Sequence, residues 1–207
     1  MTETLTMKKL QEQINELRNE LASIKGNSST GKSRLVPSGL TIGDTFELAD
    51  LTWKIIDISD NGYKCLADRL ADDMKFDKKS NDWRASSLRK YLNEEFYKKL
   101  VAVVGEDNII PFERDLLSLD GQTEYGVCED KVSLLTFDEY REHRELIPNA
   151  GYWWWLITPD STPCNNDSAW VRVVSPSGGV NVNYYVGDFG VRPFCILKSN
   201  IFVSKGE

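Results

Sequence analysis

The sequence predicts an α+β domain with short antiparallel strands and two helices, preceded by a coiled-coil helix. Three observations predict it: a heptad seam near the N-terminus, two segments with helical spacing and caps, and short strand-like runs set off by turn residues elsewhere. A chain of 207 residues allows one ordinary domain plus an appendage. The expected boundaries are 1–25 for the oligomerisation helix, 26–38 for a flexible linker and 39–207 for the globular domain.

The elements follow in chain order. Met7, Leu10, Ile14, Leu17, Leu21 and Ile24 alternate three- and four-residue spacing, with Met7, Ile14 and Leu21 at a and Leu10, Leu17 and Ile24 at d. Glu20 at g and the following e-position Lys25 can pair between parallel strands. A helix this short is marginal alone, so residues 7–24 are expected to self-associate, with a trimer favoured over a dimer; packing on its own domain is the other reading. Gly26–Ser33 reads as a flexible tether. It fits the letters of a phosphate-binding loop, Gly26 through Gly31-Lys32-Ser33, but a heptad helix precedes it and Leu35-Val36-Pro37 follows, so the required strand and helix are missing.

Thr45–Ala49 and Leu51–Ile58 read as strands, with Trp53, Ile55 or Ile56, and Ile58 facing a core. Asp60-Asn61-Gly62 is a tight turn leading to the partner strand Tyr63–Ala67. Leu88, Tyr91, Leu92, Phe96, Leu100 and Val103 recur at helical spacing over 88–104, with Ser86 or Ser87 as cap. A short buried strand at Leu134-Leu135 precedes the capping box Thr136–Glu139, which opens a second helix through about Leu146. The remaining strand-like pieces are Trp153–Ile157, Trp170–Val174, Gly179–Val182 and Val191–Leu197.

Charge is unevenly spread. The chain carries 25 Lys and Arg against 32 Asp and Glu, a net of −7. Residues 1–25 hold four of each sign, and residues 36–207 hold 19 basic and 28 acidic residues, a net of −9. This balance argues against a broad grip on phosphate backbones, so no nucleic-acid partner is expected. Within residues 151–198 there are only three charges of each sign but four of the six Trp. No apolar run approaches the roughly 20 residues of a membrane span. Met1-Thr2-Glu3-Thr4 lacks a basic start and an apolar signal core, so the expectation is cytoplasmic synthesis without a signal peptide. Cys65, Cys128, Cys164 and Cys195 are spaced far apart and are expected as reduced, mostly core thiols.

Enzyme chemistry finds little support. The single histidine, His143, lies in a charged Tyr140–Glu145 run and reads as solvated. One histidine without clustered cysteines removes most zinc sites and nucleophile–histidine arrangements. A paired-carboxylate hydrolase remains open, though no two of the 32 acids stand out. No cofactor and no metal are expected; Asn166-Asp167 offers too few ligands for calcium. Trp153-Trp154-Trp155 reads as core on alternate sides of a strand, and Arg89 and Arg192 as structural arginines.

An ordered series of motifs carries a resemblance. It comprises Thr52-Trp53-Lys54-Ile55-Ile56, Trp83-x-x-Ser86-Ser87-Leu88-Arg89-x-Tyr91-Leu92-Asn93-x-x-Phe96 and Asp130–Leu135. Tyr152-Trp153-Trp154-Trp155-Leu156-x-Thr158-Pro159 and Gly190-Val191-Arg192-Pro193 complete it. Over about residues 40–200 the chain resembles a domain of unknown function widespread in Firmicutes and their prophages, related to the C-type-lectin-like (formylglycine-generating-enzyme-like) fold. Its end segment, about 153–197, is similar to the variable regions of target proteins of diversity-generating retroelements, whose products bind diverse ligands.

That resemblance implies a ligand-binding surface on Asn165, Asn166, Asp167, Ser168, Trp170, Arg172, Asn181, Asn183, Tyr184, Tyr185, Asp188 and Phe189. Their composition suits the role: aromatics and Arg supply contact area, and Asn, Ser and Asp supply adaptable hydrogen bonds. Ordinary turns with incidental aromatics are the plainer reading. The implied function is a non-enzymatic display protein, possessed by phage or bacterium, that binds a protein or carbohydrate on a cell surface; a phage-tail location fits. The alternatives are a formylglycine-generating-type oxidase, for which Cys164 and Cys195 would be the reactive pair, and a purely structural virion protein. Cys195 in its apolar Pro193–Leu197 setting reads as buried and inert.

Overall fold

The computed structural model describes residues 39–199, apart from 61 and 71, together with the backbone of a strand at Ser204–Lys205. The expected heptad helix over 7–24 and the tether over 26–33 lie outside the described residues, as does Asn61 of the Asp60–Gly62 turn.

The domain is mixed α and β, with mostly antiparallel strands. One sheet has six: β1 (Thr45–Leu48), β2 (Leu51–Ser59), β3 (Gly62–Ala67), β5 (Ile109–Ile110), β12 (Phe194–Leu197) and β13 (Ser204–Lys205), in the order β13-β1-β2-β3-β12-β5. A second has three: β8 (Trp154–Pro159), β9 (Trp170–Val174) and β10 (Val180–Tyr184), with β9 in the middle. Two ribbons complete the fold: β4 (Met74–Lys75) with β11 (Asp188–Phe189), and β6 (Phe112–Asp115) with β7 (Val127–Asp130).

Strand alternation sorts the apolar side chains into two cores. Trp53, Ile55, Cys65 and Cys195 enter one cluster, while Ile56, Leu66 and Phe194 enter the other. In β8, Trp155 and Ile157 go to the first core and Trp154 and Leu156 to the second, so the Trp run is split across the strand and Trp153 stays partly exposed. Ile58 does not face a core as expected; the register shift between Ile55 and Asp57 breaks the two-residue alternation, and Ile58 ends up exposed.

The expected helix over 88–104 is a continuous helical run with an interruption. Ser86 caps α1 (Ser87–Tyr91), its hydroxyl accepting from Arg89 N; a π turn spans Leu92–Phe96; α2 (Tyr97–Val104) follows. Leu88, Leu92, Phe96, Leu100 and Val104 are all buried, at a strict four-residue spacing. On a regular α-helix each such step drifts about 40° around the axis. The wider π turn takes up that drift. It also moves the buried phase by one residue, so Val104 packs inward and Val103, the expected core residue, is exposed.

Thr136 and Glu139 form the capping box of α3 (Phe137–Glu142), with both reciprocal bonds present. The helix stops at Glu142 rather than near Leu146, because His143 leaves helical geometry and Arg144 Nη1 turns back to donate to Ile147 O at 2.7 Å. His143 is half-buried at this C-cap. Leu134-Leu135 is buried as expected but forms no strand; Ser133 bridges Phe194, and Leu135 O accepts from Ile157 N. Of the four thiols, Cys65 and Cys195 are buried in the first core, whereas Cys128 is half-buried and Cys164 exposed, so two fall outside the expected core.

Several buried charged groups are paired across the fold. The indole of Trp83 donates to Asp130 Oδ2 at 2.7 Å, and Arg89 Nε donates to Asp130 Oδ1 at 2.6 Å. Arg114 is nearly enclosed and meets both carboxylate oxygens of Glu139, at 2.7 and 2.6 Å. Burial works to raise the Glu139 carboxyl, but the Arg114 guanidinium and the Thr136 N–H and hydroxyl outweigh it and hold the pKa below its usual 4.5. A carboxylate with a lowered folded-state pKa stabilises the fold above the ordinary carboxylate range and loses that contribution as pH falls through its folded value. Glu139→Gln is therefore expected to lower the thermal midpoint at pH 7, with the gap to the parent closing below about pH 4, as read by circular dichroism melts across pH 3–7.

Candidate binding surface

The three-stranded sheet turns one face to the first core through Val171 and Val173. Alternation then places Trp170 and Arg172 on the opposite face of β9. Their cross-strand partners on β10 are Tyr184 and Val182. Trp170 and Tyr184 remain 40 % and 39 % exposed, which is high for such large rings. Their rings meet edge to face at 5.7 Å, and Tyr184 stacks on Tyr185 at 4.4 Å, with its hydroxyl 3.1 Å from that of Tyr185. The result is a ladder of three aromatic rings, with Trp170 and Tyr184 at the surface and Tyr185 half-buried against the first core.

The turn Ser175–Gly179 joins β9 to β10. Gly178 sits at φ +87°, and a Cβ there would strike the side chains of Arg144 and Asn149. Ser175 fastens the turn: its N donates to Gly179 O, and its hydroxyl accepts from Gly179 N. Gly190 has a different reason. The chain passes β8 here, bonded on both sides of Trp154, and a Cβ would lie 2.7 Å from the Tyr152 ring.

Among the described residues β10 is an edge strand. Its pairing with β9 directs the N–H groups of Val182 and Tyr184 away from the sheet. Each is taken by the side chain before it: Asn181 Oδ1 accepts from Val182 N, and Asn183 Oδ1 from Tyr184 N, both at 2.8 Å. Asn181 is exposed and Asn183 half-buried.

The loop before β9 holds the other candidates. Asn165 ends a 3-10 turn, Pro163–Asn165, and Asn166 follows in the left-handed region at φ 55°. Both are exposed, while Asp167 and Ser168 are half-buried. Asn165 Nδ2 donates to Asp120 at 3.1 Å, and Asp167 Oδ1 accepts from Ala169 N at 3.0 Å. Arg172 is ion-paired with Asp160. Asp188 is exposed and pairs with Lys75 at 3.2 Å. Phe189 departs from a displayed role: its half-buried ring packs edge-on to Trp155 at 4.8 Å, against the first core. The structure thus brings Trp170, Tyr184 and Tyr185 together and sets Asn165–Ser168 on the neighbouring loop.

Residues with no periodic signature position this surface. Asn81 is fully buried; its Nδ2 donates to Ser161 O and Trp170 O, both at 3.0 Å, and its Oδ1 accepts from Tyr125 OH at 2.6 Å. Its backbone N donates to Ser168 O. Asp120 accepts from Ser118, Ser161 and Asn165, and these bonds, Ser118 first, hold its carboxyl below the usual range. Glu124 accepts from Cys164 N at 2.9 Å, and the same carboxylate pushes the Cys164 thiol up. The buried Cys195 thiol is pushed up by burial. Among the described residues no group of three His, Cys, Asp or Glu is placed to hold a metal ion, and no helix is long and apolar enough to cross a membrane.

Residues 113–199 match the family described as a domain of unknown function (DUF6273). No curated protein and no solved structure matches the chain. The DUF6273 match takes in every candidate residue of the surface and the Asp120 and Glu124 supports, while Asn81 and the helical run over 87–104 precede it.

Replacing Asn81 by Ala removes the donors to two carbonyls and the acceptor of a buried phenol. We expect a loss of about 1–3 kcal/mol for each buried group left unpaired, measured by denaturant unfolding, and faster amide exchange across residues 161–170.

Proposed function

We propose that this chain is a non-enzymatic ligand-binding display protein with a C-type-lectin-like domain, akin to the retroelement-diversified variable proteins of phages and bacteria. It binds a protein or carbohydrate on a cell surface through the Trp170, Tyr184 and Tyr185 ladder and the Asn165–Ser168 loop. The observation that carries this reading is the ladder itself. Two exposed rings, Trp170 and Tyr184, backed by the half-buried Tyr185 and with amide and carboxylate groups on the adjoining loop, offer rigid contact area and adaptable hydrogen bonds. The rings stand on a sheet anchored in a core, as a binding surface requires.

In this reading the heptad seam over 7–24 joins copies, with a trimer favoured, and multivalency raises a weak single-site affinity. A phage-tail setting suits such an assembly.

The test is binding to a panel of immobilised glycans and to intact bacterial cells. The triple variant Trp170→Ala, Tyr184→Ala, Tyr185→Ala is expected to lose at least tenfold in affinity, since each truncated hot-spot aromatic costs about 2 kcal/mol or more, while its far-ultraviolet circular dichroism stays unchanged. Binding equal to that of the parent would sink the ladder as the recognition surface. Separately, deletion of residues 1–25 is expected to give monomers by light scattering; a surviving oligomer would refute the heptad reading.

A further inference from the structure

Arg192, which takes no part in the aromatic ladder, is a buried cation with incomplete pairing. Its side chain is only 4 % exposed, yet it has few partners for that burial. Nε donates to Ala67 O at 3.1 Å. Nη2 lies 3.8 Å from Asp68, a carboxylate that is itself 67 % exposed. Nη1 is buried without a hydrogen-bond partner. The guanidinium rests over the Trp154 ring at 5.1 Å, which supplies an apolar floor and no counter-charge. Burial pushes the Arg192 pKa down, the direction expected when compensation is incomplete.

Beside it opens a cavity of about 380 Å³. Arg69 contributes a second guanidinium, held 4.6 Å above the Tyr152 ring and bonded to Asp73 at 2.8 Å. Asn149, whose amide oxygen is occupied by Arg144, adds an amide nitrogen, and Pro148 and Ala150 form an apolar wall. Two arginines, one of them under-compensated, line a space large enough for a small molecule.

We propose that this cavity is a subsite for a small carboxylate-bearing molecule, bound between the guanidiniums of Arg192 and Arg69. A planar carboxylate matches the guanidinium fork and brings one negative charge. Asp68 already lies on the cavity wall and Asp73 beside Arg69, so a dianion such as phosphate meets about twice the repulsion that a monoanion does. Asp68 is then the group that the ligand displaces or supplements at Arg192, in a position too exposed to neutralise a buried charge fully.

The test uses the full chain and the probes acetate, glucuronate and phosphate, each titrated against chloride at constant ionic strength and followed by thermal shift and calorimetry. Acetate or glucuronate is expected to raise the midpoint saturably, as a ligand of the folded state does. Phosphate is expected to do so more weakly. Arg69→Gln, at a half-exposed position, should weaken the response about tenfold, the cost of one charged hydrogen bond. Asp68→Asn should strengthen it by removing the competing carboxylate. The triple alanine variant of the aromatic ladder should leave it unchanged, which separates this subsite from the display surface. The proposal falls if the parent and Asp68→Asn show no saturable carboxylate response, if Arg69→Gln leaves the response intact, or if phosphate binds as well as acetate. Destabilisation by Asp68→Asn without any carboxylate response would make Asp68 the structural counter-ion of Arg192 and overturn the proposal equally.

Discussion

The candidate surface depends on one buried amide. Asn81 reaches the carbonyls at both feet of the 161–170 loop, Ser161 and Trp170, and closes its third bond with the Tyr125 hydroxyl. A buried amide with all of these partners is directional in a way that apolar packing is not. It sets where β8 ends and β9 begins, and hence where Trp170 emerges. The same segment fixes the other side: Met74 O accepts from the Trp155 indole, and Asp77 N donates to Tyr185 O. Residues 74–81 act as the frame against which both halves of the surface are set.

Beyond that frame the bonding is graded. Asp120 and Glu124 hold the start of the loop through side chains at the surface, with Asp120 and Glu124 themselves open to solvent. Exposed bonds of this kind orient a loop but contribute modestly to stability. The interior is closely packed, with Trp83, Trp154 and Trp155 all buried.

Much of the fold is legible in the sequence where the signal is local and periodic. The Thr136–Glu139 capping box, the Ser86 cap, the β9 boundaries and the division of the Trp run between two cores each follow from a few adjacent residues. The π turn is not legible, because Leu88 to Val104 looks the same whether an α-helix drifts or a wider turn corrects it; only packing decides, and it exchanges Val103 for Val104. The short ribbons β4–β11 and β6–β7 also escape, being two to four residues long and defined by partners far along the chain. At the site, Trp170 and Tyr184 could be singled out by composition. Their pairing and the inward turn of Phe189 could not, since both arise from register. Asn81, Asp120 and Glu124 carry no periodic mark at all; their importance comes from contacts 40 or more residues away.

The asparagines on β10 have a consequence for how this surface can change. Asn181 and Asn183 occupy the outward N–H groups of Val182 and Tyr184, so the strand offers few free donors to an approaching chain. Any residue without a side-chain acceptor at either position uncovers a donor on an apolar, aromatic margin. Substitution at these two sites is thereby coupled to colloidal behaviour: losing the side-chain acceptor leaves a stickier sheet edge. On the 165–168 loop the constraint is of another kind: Asn165 holds Asp120, Asn166 occupies the left-handed region, and Asp167 accepts from Ala169 N, so change there bears on the shape of the loop rather than on a sheet edge.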